Sequence, residues 1–227
     1  MPNCSGYLEI GVDWGDTFEG VRVPFRWGVD PYPNFNLRRL PAGARFSPMA
    51  SDDFFRGLPP QHSFDLVFVD GLHEWRQTYR DVMASLLHIP PHGVIVLDDV
   101  VPDDEFASLP DQSLALELRR AAGNFSTRWQ GDVYKVLLAI LETHPEIEFR
   151  VIDGPHAQAV LWRRDSSTVA PDGQVEERLS VIDALKYADV FVEGNTPEAF
   201  RVVGETEAIE TALAVSQATW KRRNTGP

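Results

Sequence analysis

Tyr7-Leu8-Glu9-Ile10-Gly11-Val12-Asp13-Trp14-Gly15 decides how this chain is read. A short apolar run, Tyr7 to Val12, ends in a loop with two glycines. Glycine is the residue that tolerates a tight, left-handed bend and lets backbone approach another group closely. Such a bend turns backbone N–H groups toward a small ligand. The next acidic residue at a strand end is Asp30, which closes Trp27-Gly28-Val29-Asp30 before Pro31 and Pro33. Strand, glycine bend and acidic strand end together point to a nucleotide-like cofactor.

Outward from that stretch, apolar runs alternate with helical patterns, as in a parallel sheet covered by helices. A short helix is expected over Asp16 to Val21 and a third strand over Ala44 to Phe46. The clearest strand is Phe64-Asp65-Leu66-Val67-Phe68-Val69-Asp70-Gly71. Its near-continuous hydrophobicity fits burial on both faces. Trp75, Tyr79, Val82, Met83 and Leu86 recur at helical spacing, predicting a helix from Glu74 to His88. Val94-Ile95-Val96-Leu97-Asp98-Asp99 is strand five. Helices follow near Ser113 to Ala122 and Val133 to Thr143. Strands six and seven are expected over Glu148 to Ile152 and Ala157 to Arg163. Ser166 to Glu176, rich in Ser, Pro, Asp and Gly, reads as a surface loop. The remainder reads as a helical or irregular tail, with Ala208 to Trp220 its best helix. The division expected is a cofactor-binding domain over residues 1–165, with 166–227 as a tail of the same domain or an interaction segment.

The 227 residues suit one domain, and the formal net charge of −13 argues against a general nucleic-acid binder. No run reaches the roughly 18 apolar residues of a membrane span. The first residues show no signal-peptide pattern, so a cytoplasmic protein is expected. The single cysteine, Cys4, leaves no disulfide framework and no cysteine-based metal site.

In open parallel sheets, ligands sit outside the carboxyl ends of the strands. The Gly11 to Gly15 loop, Asp30, Ser51-Asp52, Asp70 and Asp98-Asp99 collect there. The loop fails the strict G-x-G-x-x-G fingerprint, because Asp13 stands at its second glycine. A carboxylate there would repel a pyrophosphate. This disfavours NAD and an oxidoreductase reading, and it favours a cationic cofactor without phosphates, such as S-adenosylmethionine.

Glu9-Ile10-Gly11, Gly15, Val29-Asp30-Pro31, Ser51-Asp52-Asp53-Phe54-Phe55, Asp65 to His73 and Gly93 to Asp99 occur in an order that resembles the class I S-adenosylmethionine-dependent methyltransferases, in particular the methyltransferase-24-like subgroup. The resemblance spans roughly Tyr7 to Arg163. It implies an α/β, Rossmann-like, doubly wound sheet of seven strands, mostly parallel with the last antiparallel. It implies that Glu9, Gly11 and Gly15 line the methionine side of the cofactor and that Asp30 binds the ribose hydroxyls; Asp13, by its charge, is a further candidate cofactor contact. Ser51 and Asp52 would lie near the adenine, although both also suit a helix cap, and Asp70 beside the reactive methyl. Relatives carry helical sequence before the first strand that helps cover the cofactor. Here a cover would come from the tail or from a partner, or be absent, and a partner would make self-association an expectation.

Asp70 and Asp98-Asp99 end neighbouring strands in that arrangement, with backbones about 4.8 Å apart. Carboxylates that close need a proton or a cation between them. Asp70, Asp98 and Asp99 are therefore candidate ligands for Mg²⁺. A cap on the following turn is the alternative. His73, three residues beyond Asp70, is a candidate proton acceptor with Asp70 beside it. Leu72 stands where the sugar-methyltransferase pattern often has a carboxylate, and leucine takes no proton. Trp129 to Lys135 resembles another feature of the relatives, with Asp132 expected to cap the helix after it. His62, His88, His92, His144 and His156 lack metal-ligand spacing and read as ordinary surface or loop residues. The leading expectation is methyl transfer from S-adenosylmethionine to a hydroxyl of a small molecule, a sugar, phenol or carboxylic acid. A silent cofactor-binding partner or regulator stays open beside it.

Overall fold

The computed structural model describes residues 4–164 and 174–224. Most of the expected loop Ser166 to Glu176 lies outside the described residues. The chain forms β1 (Gly6–Ile10), α1 (Asp16–Gly20), β2 (Phe25–Val29), β3 (Ala44–Ser47), α2 (Ser51–Gly57), β4 (Leu66–Val69), α3 (Trp75–Leu87) and β5 (Val94–Leu97). It continues through α4 (Gln112–Ala121), α5 (Tyr134–Thr143), β6 (Ile147–Ile152), β7 (Ala159–Arg163), α6 (Val175–Asp183), α7 (Tyr187–Val190), β8 (Val202–Val203) and α8 (Glu205–Asn224).

One mixed sheet runs in the order β3-β2-β1-β4-β5-β7-β6-β8. β7 lies antiparallel to both β5 and β6, and the other neighbouring pairs are parallel. This is the α/β, Rossmann-like arrangement that the alternating pattern predicts, with one correction. The sheet has eight strands rather than seven. The eighth is Val202–Val203, which pairs with Val151 and Ile152 at the edge.

Strand periodicity sorts the core onto two faces. Leu8, Ile10, Val67, Val69, Ile95 and Leu97 point to one face and pack with Phe54 of α2, Val82 and Leu86 of α3, Val136 and Ile140 of α5, and Leu179 of α6. On the other face Tyr7 and Phe68 pack with Phe18 of α1, and Val94, Val160 and Trp162 pack with Ala208 and Ala212 of α8. The C-terminal segment thus supplies an edge strand and a covering helix to the same sheet.

The strands are shorter than the apolar runs that announced them. Val12 at one run and Asp70-Gly71 at the other leave the ladder and turn outward. Between β1 and β4 the chain order reverses across the sheet, and there the turn after β1 presses on the turn after β4. Gly11 sits at φ 82°, and a Cβ built on it would overlap the Asp70 carbonyl. Gly11→Ala is therefore expected to lower the unfolding free energy by about 2–4 kcal/mol, read from urea denaturation. A loss below about 0.5 kcal/mol would show that the two turns are not packed this tightly.

Candidate functional site

The loop after β1 is held by the end of β2. Gly11 N–H donates to the Val29 carbonyl at 2.9 Å. Val12 and Asp13 N–H both donate to Asp30 Oδ2, at 2.9 and 3.0 Å. Tyr32 N–H donates to Asp30 Oδ1 at 2.7 Å. Asp30 is thus the organiser of the glycine loop; it lines the cleft, and its Oδ1 keeps one spare lone pair. Asp13 adopts φ 44°, a left-handed conformation that aspartate tolerates better than most residues. Asn34 donates its side-chain amide to Asp13 Oδ1 at 2.5 Å and its backbone N–H to the Asp13 carbonyl at 2.8 Å.

Glu9 points from β1 onto the face it shares with Tyr7 and is 1% exposed. The Tyr7 hydroxyl donates to Glu9 Oε2 at 2.5 Å. Burial pushes the Glu9 carboxyl up to about 8, against the lowering effect of that hydrogen bond. A second polar knot joins α2 to α3. Gln77 Nε2 donates to Ser51 Oγ at 3.1 Å, Asp52 Oδ1 at 3.2 Å and Asp81 Oδ1 at 3.0 Å. Asp81 is buried, and burial raises its carboxyl to about 6. Ala50 holds the cap position of α2, so neither Ser51 nor Asp52 is its N-cap. Ser51 lines the cleft, whereas Asp52 is drawn toward Gln77 and Arg80 outside the lining.

At the other end of the cleft, His73 lies between two carboxylates. Its Nε2 is 3.3 Å from Asp70 Oδ1 and its Nδ1 is 3.3 Å from Asp99 Oδ2. The ring stacks on Trp129 with centroids 4.8 Å apart, and Nδ1 also faces the Trp129 carbonyl at 3.3 Å. Burial alone would lower the imidazolium pKa. The hydrogen bond to Asp70 and the charges of Asp99 and Asp70 outweigh it, and the net shift is upward. Burial raises Asp70, partly offset by His73, and raises Asp99 to about 7. Asp99 sits at φ 58° just beyond β5.

Asp70, His73 and Asp99 each offer one ligand atom, all within 4.8 Å of one another. The sequence grouped Asp98 with Asp70 and Asp99. The structure instead turns Asp98 Oδ1 to the N–H of Asp99 at 3.0 Å and brings in His73. Asp132 accepts from Trp75 N–H at 2.9 Å and pairs with Lys135 at 3.1 Å. It therefore takes the first N–H of α3, whose N-cap is Glu74, and does not cap α5, which has no side-chain cap.

These groups share one cleft of about 960 Å³ at the carboxyl ends of β1, β2, β4 and β5. That volume is ample for a nucleotide-sized ligand. Its carboxylates are Glu9, Asp13, Asp16, Asp30, Asp70, Asp81, Asp98 and Asp99, and among the described residues no lysine or arginine lines it. Trp14, Tyr32 and Leu72 are exposed at its rim. Among the lining residues that the sequence did not point to are Gln77, Asp81 and His156. Gln77 and Asp81 stand four apart on one side of α3, and a buried Asp beside Val82 in an apolar stripe was a usable signal. His156 gave none. It reaches the cleft because β7 pairs with β5 and the neighbouring Ala157 carbonyl accepts from Val100 N–H at 3.0 Å.

Residues 9–100 match the methyltransferase-24 family model, described as a methyltransferase domain. The match runs from Glu9 to the residue after Asp99 and so takes in most of the cleft floor. No curated protein matches the chain. Among solved structures, the chain is similar to cofactor-bound Rv0187 from MTB, at 20% identity and TM-score 0.49, over 72% of this chain and 74% of that one. An O-methyltransferase from Bacillus cereus in complex with SAH matches at 14% identity and TM-score 0.48, over 70% of this chain and 74% of that one. An rRNA methylase from Streptococcus thermophilus matches at 9% identity and TM-score 0.48, over 72% of this chain and 89% of that one.

The raised Glu9 has a consequence for stability. Between its ordinary value of 4.5 and about 8 the folded protein holds a proton that the unfolded chain has released. Stability from this group is therefore full below pH 4.5 and is lost as pH rises through about 8. Glu9→Gln keeps an acceptor for the Tyr7 hydroxyl and removes that titration. Its melting temperature should fall less than the wild type's between pH 5 and pH 8 in differential scanning calorimetry. Parallel curves for the two proteins would refute the assignment of a protonated Glu9.

Proposed function

We propose that this chain transfers a methyl group from S-adenosylmethionine to a nucleophilic oxygen or nitrogen of a small molecule. The observation that carries the reading is the charge of the cleft. Carboxylates line it from the glycine loop to the reactive end, without a lysine or arginine among the described residues. That field favours a sulfonium and an amine and opposes a pyrophosphate or an oligonucleotide backbone. The matched methyltransferase domain supports the same choice.

In this reading the methionine moiety lies along Glu9 and the Gly11 to Gly15 loop. Asp30, with its backbone partners fixed, takes a ribose hydroxyl on the one spare lone pair of Oδ1. Ser51, Gln77 and Asp81 form the adenine end, and Asp52 supports them from behind. Asp70 and His73 border the transferred methyl. The acceptor attacks the methyl carbon as the S–CH₃ bond breaks, and the sulfonium becomes a neutral thioether. The acceptor's proton passes to the Asp70–His73–Asp99 group. Asp99, near 7, is better matched to receive it than an imidazole whose pKa is already raised. Much of the rate comes from holding nucleophile, methyl and sulfur in line.

For a divalent ion, Asp70, Asp99 and one nitrogen of His73 are the donors that fit. The imidazole in that set suits Mn²⁺ or a later transition ion better than Mg²⁺, which takes oxygen ligands and water. Such an ion, when bound, acidifies and orients an acceptor hydroxyl.

Isothermal calorimetry with S-adenosylhomocysteine tests the reading. We expect saturable binding, none with NAD, and a loss of at least about tenfold in affinity in Asp30→Ala, where one removed carboxylate frees three backbone donors and loses the ribose contact. No binding to the wild type, or unchanged binding in Asp30→Ala, would contradict it.

A further inference from the structure

Arg119 is 1% exposed and is the largest fully buried side chain in the described residues. A guanidinium taken out of water is costly unless its donors are satisfied, and here they are. Nε and Nη2 donate to Asp104 Oδ2 at 2.8 and 2.7 Å. Nη1 donates to the Arg128 carbonyl, and Asp103 lies 3.7 Å from Nη2. The helix that carries it, α4, buries only one other residue, Ala115. Leu114 and Leu118 remain partly exposed. A charged key, rather than an apolar stripe, therefore docks α4.

The two segments that Arg119 fastens both lead to the reactive end. One follows Asp98-Asp99 and includes Asp103, Asp104 and Ala107. The other runs from Arg128 through Trp129 to Asp132. They are laced together: Gln130 and Gly131 N–H donate to the Ala107 carbonyl at 3.1 and 2.9 Å. Asp103 N–H donates to Gln130 Oε1 at 3.2 Å, and Trp129 Nε1 donates to the Leu109 carbonyl at 2.6 Å. The second segment then presses on His73. Trp129 stacks on the imidazole, and Gly131, at φ 63°, packs so close that a Cβ would overlap the His73 carbonyl. The residue next to the Trp129 stack, Arg128, is the one whose carbonyl Arg119 holds.

We propose that Arg119 is a positioning residue. By tying Asp104 and the Arg128 carbonyl to α4, it holds Trp129 in the stack that orients His73 between Asp70 and Asp99. The proposal rests on the reading of the His73 end as the reactive end. The geometry it invokes exists without cofactor, so it can fail or stand separately from that reading.

The test is NMR of the full chain with labelled histidines, with the His73 ring signal assigned by its loss in His73→Gln. A ring stacked on an indole is displaced by the indole's ring current, and Trp129→Leu gives the unstacked reference. In Arg119→Met the His73 signal is expected to move to the Trp129→Leu position, and in Arg119→Lys to move only part of the way. Asp104→Asn provides a second route, because it keeps the arginine and removes its main partner; the same displacement is expected. S-adenosylhomocysteine affinity should stay within about twofold, since Arg119 shares no partner with the glycine loop. An unmoved His73 signal in Arg119→Met or in Asp104→Asn, with Trp129→Leu displaced, would overturn the proposal. So would a His73 displacement in Arg119→Lys as large as in Arg119→Met, because a positioning charge should be partly replaced by another.

Discussion

Carboxylates crowd one end of this sheet, and the rest of the site is arranged around keeping them there. Parallel strands all end on the same edge, so acidic residues at the ends of β2, β4 and β5 converge whether or not their neighbours can tolerate them. Each is accommodated differently. Glu9 is held by the Tyr7 hydroxyl and pushed toward its neutral form. Asp30 spends its charge on three backbone N–H groups. Asp70 and Asp99 share His73. Asp81 takes the Gln77 amide. In the proposed reading a cationic ligand would complete this set, because among the described residues no lysine or arginine lines the cleft.

The same constraint explains the local backbone. Asp13 and Asp99 both adopt left-handed conformations. Such residues carry a modest energetic cost and persist where surrounding bonds over-determine them. Asp13 is fixed by Asp30 and Asn34, and Asp99 by Asp98 and by its place beside His73. Gly11 has a different reason: without a Cβ it permits the β1 and β4 turns to meet, which brings the glycine loop against Asp70.

Much of this was legible in the chain itself. Asp65 to Gly71 and Val94 to Asp99 read as buried strands with acidic ends, and the Gly11 to Gly15 loop with Asp30 gave the cleft's first wall. What escaped was set by tertiary pairing. Val202–Val203 is too short to show a period and becomes a strand only because β6 offers an open edge. Asp132 precedes α5 in sequence but accepts the Trp75 N–H at the start of α3, beside the Glu74 cap. His156 enters the cleft through the β5–β7 pairing, a non-local event. Asp98 and Asp99 are adjacent, and only the left-handed turn at Asp99 determines which of them faces His73. Periodicity carries no information on that choice.

The central claim is that the acidic cleft, and no other surface, receives S-adenosylmethionine. Amide chemical-shift mapping of the ¹⁵N-labelled chain during titration with S-adenosylmethionine tests it most directly. The account predicts saturable shifts at Gly11 to Gly15, Asp30, Ser51 and Asp70 to His73, the backbone that borders the cleft. Shifts clustered elsewhere, or none at millimolar ligand, would contradict it.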